Sequence, residues 1–78
     1  MSFATMRTVQ QTAAEIRKRH KAERLNLTQV AYELGKARST AEKDIRHLTV
    51  LIDNDGGRRW KVTDLAEYIV SHEQEGET

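Results

Sequence analysis

The residues best equipped for chemistry are cationic and fall into two groups. Arg38, Ser39, Thr40, Lys43, Arg46 and His47 lie close together in the chain, and Arg58, Arg59 and Lys61 follow directly after Gly56-Gly57. Guanidinium and ammonium groups donate to phosphate oxygens and to guanine O6 and N7, and serine or threonine hydroxyls serve bases and phosphates alike. At about 100° per residue, Ser39, Lys43 and Arg46 share one side of a helix. A cationic helix face beside a basic turn suits duplex DNA: the helix fits the major groove, while neighbouring arginines reach phosphates or the minor groove. The local alternative for Lys43 and Arg46 is pairing with the adjacent Glu42 and Asp44. His47 either meets phosphate or covers a helix edge. A further basic run contains Arg17, Lys18 and Lys21, and it either lies along phosphates or forms an ordinary solvated helix face.

Other chemistries find little support. With no cysteine, the chain has no disulfide framework, thiolate zinc site or cysteine nucleophile, and the spacing of His20, His47 and His72 suggests no metal site. It contains no glycine-rich phosphate loop of Walker or dinucleotide type and no nucleophile elbow, and its carboxylates are spread as surface charges and caps. The expectation is a protein without catalytic activity, cofactor, metal or small-molecule substrate. No stretch approaches the roughly 18 apolar residues of a membrane span, so a soluble, cytoplasmic protein without a membrane partner is expected.

Four helices and a hairpin must position these side chains. Met6, Val9, Ala13, Ile16 and His20 recur at steps of three and four, which predicts a first helix from Met6 to Arg24. Thr28 can cap a second helix, with Leu27 packing on Tyr32 as a staple, Val30, Ala31 and Leu34 facing inward, and Gly35 ending it in the left-handed conformation. Ala37, Ala41, Ile45, Leu48 and Ile52 trace the buried stripe of a third helix spanning Arg38 to Leu48. The cluster Asp53-Asn54-Asp55-Gly56-Gly57 is a hairpin tip, with positive φ allowed at Asn54, Gly56 and Gly57. In the return strand Trp60 and Val62 point to the core, and Arg59 and Lys61 point away from it. Thr63 can cap a fourth helix carrying Asp64 and Glu67 near its start, with Leu65 and Ile69 inward.

At 78 residues the chain has room for one domain, whose core supplies only about 3–5 kcal/mol. The formal net charge is only +1, but residues 1 to 62 carry all 13 basic side chains. Residues 63 to 78 carry only acids, giving a basic body and an acidic end. The expected division is a DNA-binding domain over residues 1–72 and a disordered acidic tail over residues 73–78.

The segment LNLTQVAYELGKARSTAEKDIRHL followed by GGRRWKVTDLAEYI resembles the small excisionase and MerR-type winged helix-turn-helix proteins. Gly57, Arg58, Arg59, Trp60, Asp64, Leu65, Tyr68 and Ile69 match the closing part of that pattern. The part before residue 25 is more similar to the first helix of general winged-helix repressors. The resemblance implies a mostly helical winged helix-turn-helix of four helices with a short β-hairpin wing. It also implies sequence-specific duplex-DNA binding in site-specific recombination or transcription, of phage, plasmid or bacterial type. A single recognition helix reaches about 3–4 base edges, so a homodimer or cooperative multimer on DNA is expected. The competing reading is a small adaptor that uses the same fold to bind a host or phage protein, since a fold does not fix a function.

Overall fold

A computed structural model describes residues 8–76, with side chains through residue 72, so the expected helix start at Met6 lies outside the described residues. The described residues are mostly helical, with four helices and a small three-stranded antiparallel sheet among them. The first helix, α1, is Val9–His20. A reciprocal cap opens it: Thr8 Oγ1 accepts from the Gln11 N–H at 3.0 Å, and Gln11 Oε1 accepts from the Thr8 N–H at 3.1 Å. The helix ends at Lys21, not at Arg24. Lys21 takes φ 54°, and its N–H donates to the Arg17 carbonyl. A left-handed lysine carries no glycine signal, which is why periodicity alone overran this end.

The released chain forms strand β1, Arg24–Leu25, which sequence reading missed because two residues show no alternation. Helix α2, Leu27–Leu34, follows, and its cap is Asn26, not Thr28. Asn26 Oδ1 accepts from the Gln29 N–H at 2.9 Å, and Gln29 returns the bond to the Asn26 N–H at 3.0 Å. Leu27 is therefore the first helical residue, and the expected staple is absent, because Tyr32 is 67% exposed. Gly35, at φ 67°, ends α2 as its lack of a Cβ allows. Asn26→Ala should cost about 1 kcal/mol in a urea titration, whereas Thr28→Ala should stay within about 0.5 kcal/mol.

Helix α3, Arg38–Asp44, is shorter than expected and closes at Ile45. Arg46 and His47 therefore lie in the turns after it. Ala41 and Ile45 are buried and Leu48 half-buried, as the stripe predicts, while Ala37 and Ile52 are exposed at its two ends. The Leu48 N–H donates to the Ile45 carbonyl at 2.9 Å, so the chain keeps turning inward after the helix stops.

Strands β2, Leu51–Ile52, and β3, Arg58–Lys61, make the hairpin, and the sheet order is β1-β3-β2. At the tip the Gly56 N–H donates to the Asp53 carbonyl, and the Asp53 N–H to the Gly57 carbonyl, each at 2.9 Å. Of the three expected tip positions only Gly56 has positive φ, at 82°, which fits a turn followed by one left-handed residue. Helix α4, Val62–Gly76, begins one residue before Thr63 and continues past the expected start of the tail. Helix α1 packs along α4, and α2 packs on α3 and β3. Leu25, Trp60, Val62 and Leu65 join Ile16, Val30 and Ile45 in one core. The Glu33 carboxylate, its side chain 6% exposed, ties α1 to α2 by bonding both Arg19 and His20 Nε2.

Candidate nucleic-acid interface

Ion pairing sorts the cations. Arg17 is bound to Glu23 at 2.6 Å, Arg19 to Glu33 and Lys36 to Asp44. Hydrogen bonding to Asp44 holds the Lys36 ammonium above its ordinary pKa, joining the α2–α3 turn to the end of α3. By contrast Lys18, Lys21, Arg24, Arg38, Lys43, Arg46 and Lys61 make no ion pair among the described residues, and all are exposed. Arg38 reaches only the Thr28 hydroxyl, at 3.5 Å. Ser39 and Thr40 stand exposed beside it. Local pairing of Lys43 and Arg46 with Glu42 and Asp44, the alternative open in the sequence, does not occur, because those acids pair with Arg58 and Lys36.

The two hairpin arginines are placed differently. Arg59 is spanned by Asp53 at 3.6 Å and Asp55 at 3.1 Å, and its guanidinium also donates to the Arg58 carbonyl at 3.0 Å. It therefore braces the tip; it does not project freely. Its guanidinium lies where a Cβ on Gly57 would stand, 2.5 Å away, so Gly57 provides the space for it. The Gly57 N–H donates to Asp55 Oδ1, and together with the Arg59 charge it lowers the Asp55 pKa below the usual carboxylate value. A depressed carboxylate stabilises the folded tip at neutral pH, and that contribution disappears only as acid takes the pH down through the lowered pKa. Arg58 lies on the opposite face of the sheet, 5.4 Å from the Trp60 ring centroid and 2.6 Å from the Glu42 carboxylate of α3.

Strand pairing brings in one residue absent from the expected site. Arg24 of β1 sits directly opposite Lys61 of β3, on the face away from Leu25 and Trp60. Like charges in this position destabilise a sheet. Neither has an acidic partner among the described residues, so the two cations are left to solvent or to a ligand. Only the pairing register reveals the contact, so no local sequence signal could have found it.

The arrangement gathers some of the expected residues and separates others. Arg46 and Arg58 line one groove between the end of α3 and the hairpin, with Glu42 beside them. Lys18 lies with Glu15 and Arg19 at a separate depression on α1. His47 contacts the Tyr68 ring at 5.5 Å, so it covers the edge of α4. No family model, curated protein or solved structure matches the chain. Among the described residues, no helix is long and apolar enough to cross a membrane, and no group of three or more acidic or histidine side chains is placed to hold a metal ion.

Proposed function

We propose that this chain is a winged helix-turn-helix protein that binds duplex DNA sequence-specifically, without catalysis, as a regulator of recombination or transcription. The observation that carries the reading is the set of uncommitted cations on and just after α3. Arg38, Lys43 and Arg46 are exposed and lack ion pairs among the described residues, while several cations elsewhere are neutralised within the fold. The order of elements supports it. A helix and a short strand precede two helices joined at Gly35, and a hairpin follows whose second strand lies between the first strand and its own partner. This order supports a winged-helix reading, in which α3 is the recognition helix and the β2–β3 hairpin the wing.

In this reading α3 enters the major groove, where Ser39 and Lys43 meet base edges, while Arg38, Arg46 and the wing meet phosphates. A second copy on a neighbouring half-site supplies the specificity that one helix lacks. The Arg24–Lys61 contact fits the same purpose, because it places positive charge on the fold without benefit to its stability. Lys61→Glu should therefore raise unfolding stability by about 0.2–1 kcal/mol through a new pair with Arg24, yet weaken retention of any duplex at low salt. Loss on both counts would remove the functional explanation for the like-charge pair.

The reading is tested by fluorescence anisotropy with a labelled mixed-sequence duplex of about 20 base pairs. Binding should fall steeply between about 50 and 200 mM salt, with a logarithmic slope near −3 to −5 for about four or five neutralised phosphates. Absence of binding at the low-salt end would favour the adaptor reading, in which the basic surface meets an acidic protein.

A further inference from the structure

The groove between α3 and the hairpin brings an apolar floor together with two arginines and a carboxylate. Its volume is about 230 Å³, its floor includes Ile45, Leu48 and Trp60, and its rim carries Arg46, Arg58 and Glu42. We propose that this groove is the seat of one DNA backbone phosphodiester, and that the Glu42 carboxylate occupies the phosphate position in the free protein. The proposal rests on the duplex-binding reading and adds to it a specific site and a built-in competitor.

The geometry around Arg58 supports an exchange. Its guanidinium is steered by two neighbours, the Trp60 ring at 5.4 Å and the Glu42 carboxylate at 2.6 Å, which joins α3 to β3 across 16 positions of sequence. Trp60 is 4% exposed and fixed in the core, so it keeps the guanidinium in place whichever anion accepts from it. The Arg58 and Glu42 side chains are 47% and 44% exposed, so an incoming anion reaches the pair without any unfolding. An ion pair this open contributes at most about 1 kcal/mol. A phosphodiester is the stronger claimant, because Arg46 across the groove carries a charge with no ion pair among the described residues. The apolar floor suits the sugar attached to that phosphate. Arg59 is unsuited to this exchange, since two carboxylates and a carbonyl hold it with only 21% of its side chain exposed.

Glu42 then sets a threshold. Every duplex must displace it, so its cost falls on preferred and random duplexes alike and lowers both affinities without changing the ratio between them. Anisotropy with the labelled mixed-sequence duplex tests this in four variants beside the unaltered protein. Glu42→Gln should bind about fivefold more tightly, the value of one exposed ion pair. Glu42→Asp keeps the charge but withdraws the carboxylate by one methylene, and it too should tighten binding. Asp44→Asn changes the net charge equally and releases Lys36, yet should gain less than about twofold, because long-range charge is screened. Arg58→Ala should bind more weakly, with its salt slope shallower by about one. Unaltered-protein binding combined with no gain in Glu42→Gln, or with an equal gain in Asp44→Asn, would overturn the competitor while leaving duplex binding intact. Failure of the unaltered protein and of all four variants to bind would overturn the duplex reading and the phosphate seat with it.

Discussion

Alanine at Lys43 and Arg46 together is expected to weaken binding to the preferred duplex by about 2–4 kcal/mol, or roughly 30- to 1000-fold, from the usual worth of one or two direct contacts each. The same double variant should unfold within about 0.5 kcal/mol of the unaltered protein, because exposed side chains without partners add little to a fold. Both residues are exposed and make no ion pair among the described residues. The separation of the two effects is the informative part. A loss of affinity accompanied by an equal loss of stability would mean that α3 had been disrupted, and an unchanged affinity would move the binding surface away from α3. The comparison also divides their roles. If Lys43 meets a base edge and Arg46 a phosphate, Lys43→Ala should narrow the gap between preferred and random duplex, while Arg46→Ala should lower both affinities alike.

The second large effect concerns the core. Trp60→Ala should cost about 3–5 kcal/mol, the usual range for removing a buried large aromatic side chain. That equals the whole stability available to a chain of this size, so no cooperative thermal transition should remain at 25 °C. Trp60 lies in the central strand of the sheet, opposite Leu25 and beneath Arg58, so its loss empties the junction of β1, β3 and the groove. Trp60→Phe keeps much of the apolar area and should cost less than about 1.5 kcal/mol. A folded Trp60→Ala protein that had lost only DNA affinity would make the indole a ligand-stacking group, contrary to its 4% exposure.

The sequence made the helical framework legible where the signals were redundant. Gly35 ended α2 as expected, and Ala41, Ile45 and Leu48 turned inward, because apolar spacing and a left-handed residue pointed to the same structure. Trp60 was legible for a similar reason, since alternation beside a glycine-rich tip leaves few other registers; Val62 is buried as expected, but as the first residue of α4 and not in the return strand. The errors have local causes. Asn26 and Thr28 can each cap α2, and the deciding residue was Gln29, which stands three positions after Asn26 and completes a reciprocal cap. Strand β1 was hidden by its two-residue length and by Lys21, which adopts a glycine-like conformation without being glycine.

The site was less legible than the fold because charge is assigned through space. Nothing in the order of residues says that Arg58 meets Glu42, or that Arg59 is held by Asp53 and Asp55. Two adjacent arginines that look equivalent in the chain point to opposite faces of the sheet. One braces the hairpin tip, and the other pairs with Glu42 of α3. Likewise Arg24 looked like the end of a helix, and its position opposite Lys61 follows only from the pairing of β1 with β3.

The most direct test of sequence-specific recognition is selection of bound duplexes from a random pool at near-physiological salt, followed by sequencing of the retained fraction. Enrichment of one short motif is expected, present as two copies if a second protomer completes the site, with loss of that enrichment in the Lys43→Ala protein. A retained pool with no enriched motif would contradict sequence-specific recognition and leave only phosphate contact, and a pool that is not retained at all would contradict DNA binding itself.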